Sequence, residues 1–159
     1  MNEEKTKSFP VSKRMVDNSY LKVMSKNGCA GIDGQSIEMF EATMSKNLYK
    51  IYNRMASGSY FPPPVRTEFI PKKQGGFRPL GIPTVADRVA QGVVKDYLEP
   101  AMDSKFHDSS FGYRPGRSAH DALAQCHANC LQYAWVVDVD IKGFFDNISH
   151  EKLMELLKQ

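Results

Sequence analysis

The sequence lacks the features that mark secreted and membrane-embedded proteins. It has only three cysteines in 159 residues, and an odd number without a Cys-x-x-Cys pair excludes a disulfide framework. No apolar run approaches the roughly 18 residues that a membrane-spanning helix needs. The charged stretch Met1–Lys7 leads into no apolar segment of the kind found in signal peptides. We therefore expect no membrane association and a reducing, cytoplasmic location of bacterial type.

Internal repeats and low-complexity tracts are also absent. Hydrophobic residues make up 42% and charged residues 25%, values that exclude wholesale disorder. The charges are unevenly distributed, because residues 1–100 carry 15 basic and 10 acidic side chains whereas residues 101–159 carry six and eight. This asymmetry indicates either a polyanion bound at one side with cations near the other, or solvated surfaces of uneven charge.

The spacing of apolar residues and the positions of capping residues predict an α+β fold. Between the helices, Gly-rich residues 27–34 predict a loop, and Pro71 and Pro79 place the predicted hairpin at a sheet edge. The last helix is expected to turn its leucines inward. The predicted elements are helices from Ser12 to Gly28, from Ser36 to about Ser57, from Thr84 to Pro100, from Ser118 to about Cys130 and from Ser149 onward, a β-hairpin over 65–82 and one buried strand over 134–141.

Two acidic residues interrupt the predicted buried strand. Side chains alternate along a strand, so Asp138 and Asp140 share one face. Carboxylates in an apolar strand are costly unless they meet water, cations or donors, and oxygen ligands of this kind suit Mg²⁺. Asp140, nearer the strand end, is the stronger metal candidate, while capping of the next helix or pairing with arginine is the structural alternative. An Asp-x-Asp of this kind also begins haloacid-dehalogenase-type phosphatases, but the short sequence after Asp140 does not match their downstream domain.

Five stretches, in this order, resemble the motifs of group II intron reverse transcriptases. The last contains the aspartates and is similar to the first catalytic motif of the polymerase palm. The resemblance covers about residues 28–152. The stretches are Gly31–Gly34, Ile70–Lys72, Gly76–Pro83 followed by Asp87 and Arg88, Phe111–His120 and Val137–His150.

The resemblance implies a role for each matching residue. Asp140 corresponds to the first metal-binding aspartate, Ile141 beside it belongs to the metal and nucleotide contacts, and Phe144 corresponds to the aromatic that discriminates against a 2′-hydroxyl. Lys72 and Arg78 correspond to the residues that clamp a nucleotide triphosphate. The implied cofactors are Mg²⁺ or Mn²⁺, with dNTP as substrate. The implied nucleic-acid contacts are Gly31, Asp33, Gly34, Lys73, Arg114 and Arg117.

Elementary chemistry supports these roles. Lys72 and Lys73 at a glycine-rich tip carry mobile charges. Arg78 has a planar guanidinium that can donate two hydrogen bonds to a phosphate group. Phe111 and Tyr113 beside the arginines suit base stacking or the packing of a loop. Cys126 and Cys130, at i and i+4, favour a core position over a zinc site.

The second palm motif of this family, which supplies two further metal-binding carboxylates, is absent from the sequence. We therefore expect an N-terminal extension helix over 1–27, fingers over 28–117 and a truncated start of the palm over 118–159, with no polymerase activity in this segment alone. The expected partners are group II intron RNA as template, a DNA or RNA primer and a possible second copy of the chain. The alternatives are a non-catalytic RNA-binding or dimerisation module, or a retron-like bacterial reverse transcriptase.

Overall fold

A computed structural model describes residues 10–73 and 75–158 of the chain. The stretch Met1–Lys7, used above in the signal-peptide argument, lies outside these residues. Helices and one two-stranded antiparallel sheet confirm the α+β class. The elements are α1 (Lys13–Met24), α2 (Ile37–Glu41), α3 (Met44–Ala56), β1 (Arg66–Pro71), β2 (Phe77–Ile82), α4 (Val85–Asp103), α5 (Ala119–Cys130), a 3-10 turn (Phe145–Asn147) and α6 (His150–Leu157).

The chain divides into two compact units, Met1–Phe106 and His107–Gln159. In the first, α1 packs across α4 and α3 around an apolar core. The rings of Tyr20 and Phe40 stack at a centroid distance of 5.4 Å within it. The Ser19 hydroxyl donates to the carbonyl of Val89 at 2.8 Å, so the helix crossing is hydrogen-bonded as well as packed. None of the helices in the described part of the chain combines the length and the apolar character that a membrane span requires.

Capping side chains start most of these helices where the sequence predicted. The hydroxyls of Ser12, Thr84, Ser118 and Ser149 each accept a hydrogen bond from the backbone N–H three residues later. At α5 the bond is reciprocal, since the Asp121 carboxylate accepts from the Ser118 backbone at 2.8 Å. This capping box satisfies N–H groups that a helix start leaves unpaired.

Two helix predictions need correction. The single helix expected from Ser36 to about Ser57 is interrupted between α2 and α3, where the Asn47 side-chain amide donates to the Phe40 carbonyl at 2.9 Å and to the Thr43 hydroxyl at 3.0 Å. These bonds satisfy groups that the interruption frees. The other helix does not end at Pro100, because α4 continues to Asp103 with the proline inside it. Proline there removes one backbone donor but leaves the last turn intact.

The predicted β-hairpin is confirmed. β1 and β2 pair in an antiparallel register that runs from Arg66 opposite Ile82 to Pro71 opposite Phe77. Among the described residues no third strand joins them, so both strands are edges and tolerate proline. At the tip, Gly75 and Gly76 take φ angles of 89° and 78°, a conformation that favours glycine.

The predicted buried strand over 134–141 is wrong. These residues form no ladder in the structure, and their side chains are exposed, with Trp135 at 89% and Val139 at 78%. A strand is stable only beside another strand that takes its N–H and C=O groups, and no such neighbour lies in the described part of this unit. The palm-like strand therefore does not form. The inward placement of the α6 leucines is also wrong, since Leu153, Leu156 and Leu157 are exposed.

Candidate functional site

Three cations predicted to contact ligand lie on the hairpin: Lys72 and Arg78 for the nucleotide triphosphate, and Lys73 for nucleic acid. Lys72 and Lys73 occupy its tip, and Arg78 lies in β2 opposite Ile70. The Lys72 backbone N–H donates to the Gly76 carbonyl at 2.9 Å, which closes the tip. All three side chains are exposed, and none forms an ion pair with another described residue. Their charge is therefore available to an anion from solvent.

The Gly-rich loop predicted to contact nucleic acid is a tight turn fastened to the start of α4. The Gly34 N–H donates to the Gly31 carbonyl at 3.2 Å, and the Gln35 N–H donates to Oδ1 of Asp33 at 3.2 Å. Gly31 is buried, and a Cβ there would lie 2.6 Å from backbone atoms of Thr84. The Arg88 guanidinium donates to the carbonyl of Cys29. Gly31 thus has a packing role, while Asp33 and Gly34 remain exposed.

A buried carboxylate in the first turn of α4, that of Asp87, belongs to one of the family-like motifs, but the sequence predicts no distant partner for it. Asp87 accepts a hydrogen bond from the Tyr60 hydroxyl at 3.2 Å and another from the Gln91 amide at 2.8 Å. Burial first, and then the charge of Asp87, raises the pKa of Tyr60 well above its usual range, which keeps the phenol neutral. The Thr84-x-x-Asp87 spacing predicted the helix cap, but the distant partner Tyr60 has no signal in the sequence.

The arginines of the 111–117 segment are held within the second unit. Arg114 donates to the carbonyls of His107 at 2.9 Å and Ser110 at 3.1 Å, so it braces the loop in which it lies. Arg117 lies over the Phe111 ring, with its guanidinium carbon 5.5 Å from the centroid. Tyr113 takes a φ of 58° and is fully exposed. The segment therefore presents a cation–aromatic pair and a free ring to solvent.

The predicted metal-binding residues lie on the extended segment that replaces the expected strand. Asp138, Asp140 and Ile141 are exposed, and neither carboxylate forms a hydrogen bond or ion pair within the described residues. The turn that follows places Phe144 edge-on to Phe145 at 5.3 Å. Across the described ranges, no group of three His, Cys, Asp or Glu side chains could hold a metal ion. The segment alone thus offers two hard oxygen donors rather than a complete metal site.

The cysteines of α5 do not form a core. Cys126 and Cys130 are exposed, and the hydrogen bond from one thiol to the other raises the pKa of Cys130. The expectation of core cysteines is therefore wrong in this unit, which has no buried side chain among its described residues to pack them against.

Comparison with known proteins identifies the family. The model of the family described as reverse transcriptase (RNA-dependent DNA polymerase) matches residues 70–159, more than half of the chain. The chain belongs to the reverse transcriptase family. The matched span contains the hairpin cations, both arginines of the 111–117 segment and Asp140.

Relatives of this reverse transcriptase-family chain include intron-encoded proteins, which confirms the resemblance. Protein YkfC of Escherichia coli K12 is 34% identical over 81% of the chain, and the group II intron-encoded protein LtrA of Lactococcus lactis is 37% identical over 87%. A putative COX1/OXI3 intron 1 protein of Saccharomyces cerevisiae is 30% identical over 89%. The aligned segment is 35% of YkfC and 23% of LtrA, so the chain spans about a third of these relatives or less.

Proposed function

We propose that this chain is the nucleotide- and template-binding portion of a group II intron-encoded RNA-directed DNA polymerase. The single observation that carries the proposal is the family match over 70–159, since it spans the hairpin on which three unpaired cations are exposed. The intron-encoded relatives support the group II assignment over a retron-like enzyme.

In this proposal the hairpin binds the triphosphate. A triphosphate carries several negative charges, and transfer of a phosphoryl group depends on cations positioned around them. Lys72 supplies a mobile charge, and Arg78 supplies a planar fork that pairs with two phosphate oxygens. Neither side chain must break an ion pair to do so, which keeps the cost of binding low.

Asp140, with Ile141 beside it, is the proposed metal-binding position. The exposed and unpaired carboxylates of Asp138 and Asp140 fit Mg²⁺ or Mn²⁺, because these ions prefer oxygen donors and accept one or two carboxylates together with substrate phosphates. Such an ion neutralises charge on the triphosphate when it is bound. Phe144 is the proposed contact of the sugar, where a ring excludes a 2′-hydroxyl.

Template and primer are assigned to the two exposed loops. Asp33 and Gly34 lie on the loop before α2, and Arg114 and Arg117 lie before α5, while Lys73 extends the cationic hairpin tip. We propose group II intron RNA as the template, with a DNA or RNA primer. The free, exposed cysteines suit a reducing compartment, and we place the protein in the cytoplasm.

Binding to intron RNA across a salt series tests this proposal. We expect Lys73→Gln and Arg117→Gln, at two of the proposed nucleic-acid contacts, each to weaken binding and to lower the slope of log affinity against log salt by about one, because each removes one phosphate contact. Lys46→Gln, an exposed lysine on α3, is the matched control. Variants that bind like the wild type at every salt concentration would contradict the proposal.

Catalysis requires more than this segment supplies. Two-metal chemistry needs several carboxylates, and the described residues contain no such group. We therefore propose that the chain does not extend a primer by itself. Incorporation of nucleotides in a primer-extension assay with Mg²⁺ would overturn this statement.

A second candidate is a non-catalytic RNA-binding or dimerisation module. The exposed apolar side chains of the second unit favour it, since contiguous apolar surface often marks an interface. Sedimentation separates the candidates. A homodimer disrupted by Trp135→Ser or Val139→Ser, with RNA binding unchanged by Lys73→Gln and Arg117→Gln, would favour the module.

A further inference from the structure

We propose that a cavity beside α3 binds one unpaired nucleotide of an RNA strand. The cavity, here called the α3 cavity, has a volume of about 270 Å³ and lies entirely in the first unit, between α3 and the chain segments 33–35 and 60–63. Only Asp33 among its lining residues belongs to the sites proposed above. The inference deepens the proposed function and rests on the RNA binding stated there.

The charge of the cavity favours a phosphate. Lys50 and Arg54 lie one helical turn apart on α3 and both line the cavity. Neither forms an ion pair with a described residue. The one acidic group of the lining is Asp33, whose Oδ1 already accepts the Gln35 N–H. Two unpaired cations facing one partly engaged carboxylate leave a net positive site.

An exposed aromatic ring forms another part of the lining. Phe61 is 81% exposed, although a ring of this size normally finds cover in a folded chain. Its backbone is restrained on both sides, because Tyr60 before it is anchored to Asp87 at 3.2 Å and Pro62 and Pro63 after it have restricted φ angles. An exposed ring beside cations is the arrangement on which single-stranded nucleic acids stack their bases.

Two side-chain amides in the lining can read the edge of a base. Asn47 donates its N–H groups to the Phe40 carbonyl and the Thr43 hydroxyl, so its oxygen is left as an acceptor. The Gln35 side chain forms no hydrogen bond within the described residues and offers both donor and acceptor. The volume lies just below the usual range of pockets for drug-sized ligands, about 300–1,000 Å³, which suits one base and its sugar rather than a duplex.

The test uses the full chain with a fluorescein-labelled single-stranded 12-mer RNA that carries one 2-aminopurine. Wild-type chain is expected to bind the RNA and to change the 2-aminopurine fluorescence, since that base reports stacking directly. Phe61→Leu, which keeps the apolar bulk and removes the ring, is expected to weaken binding about 5- to 100-fold and to abolish the fluorescence change. Lys50→Gln and Arg54→Gln are each expected to weaken binding. Together the two changes are expected to lower the slope of log affinity against log salt by about one.

Matched controls lie on α3, the helix of Lys50 and Arg54, but outside the cavity. Tyr49→Leu removes another exposed aromatic ring and Lys46→Gln another exposed lysine, and both are expected to leave affinity and fluorescence unchanged. A 4-thiouridine strand is expected to crosslink to Tyr60 or Phe61, as mapped by mass spectrometry.

The outcomes that overturn the inference are distinct from those that overturn the proposed function. RNA binding that Phe61→Leu changes by less than twofold, with an unaltered 2-aminopurine signal, ends the inference and leaves the proposed function standing. Equally tight binding of a fully paired duplex, or displacement of the strand by an equimolar amount of free AMP, overturns the assignment to an unpaired nucleotide of a strand. Absence of any RNA binding by the wild-type chain overturns both.

Discussion

At the scale of single residues, the first turn of α4 shows how closely the Gly-rich loop is packed. Because a Cβ at position 31 would meet the Thr84 backbone at 2.6 Å, and backbone cannot move aside as a flexible side chain does, Gly31→Ala is expected to destabilise the fold by about 1–3 kcal/mol. Urea unfolding followed by circular dichroism measures the change. Gly112→Ala is the matched control, since a Cβ there would meet no atom within 4 Å. Equal urea midpoints for the two variants would show that the loop shifts to accommodate the added Cβ, and would contradict this prediction.

The Tyr60–Asp87 hydrogen bond carries a prediction about pH. The folded chain raises the pKa of Tyr60 above the value of about 10 that tyrosine has when unfolded. Its contribution to stability is therefore complete below pH 10 and declines as the pH rises beyond it, because the unfolded phenol loses its proton first. We expect the urea midpoint of the wild type to fall more between pH 8 and pH 10.5 than that of Tyr60→Phe. At pH 8 the variant should be less stable by about 1 kcal/mol, and parallel pH profiles would contradict the argument.

At the scale of elements, local chemistry explains which predictions succeed. Hydroxyl caps mark helix starts because they satisfy nearby backbone donors, so Thr84 and Ser118 locate α4 and α5 from sequence alone. The hairpin is equally local, since glycines at its tip and proline at its edges need no distant partner. The interruption between α2 and α3 depends on a bond from Asn47 back to Phe40, which periodicity does not register.

The element that fails, residues 134–141, is the one whose stability is not local. Alternating apolar residues predict a strand, but its hydrogen bonds must come from a neighbour that the described residues do not contain. The candidate site divides in the same way. The motifs single out Lys72, Arg78 and Asp140 as candidates. The contact between Tyr60 and Asp87, and the position of Arg54 in the lining of the α3 cavity, arise only through tertiary packing, which the sequence does not predict.

At the scale of the whole molecule, the two units differ in how they bury apolar surface. The first has a continuous core that includes Val16, Phe40 and Val89, each nearly inaccessible to solvent. The second contains comparable apolar side chains, yet none of its described residues is buried. Since burial of apolar area is the main stabilising contribution to folding, cooperative unfolding should belong to the first unit.

Limited proteolysis of the full chain tests this difference. We expect chymotrypsin to cut first in the second unit, after exposed side chains that lie outside helices, such as Tyr113, Tyr133 and Trp135, and to leave a product that retains α1–α4. Phe61 is as exposed but precedes a proline, which blocks cleavage after it. Hydrogen exchange should agree, because amides at 134–141 have no ladder bonds to protect them whereas those in α4 do. First cuts within α4 would mean that the first unit opens before the second, and slow exchange at 134–141 would mean that the second unit holds a core of its own. Either result would contradict the expected difference between the units.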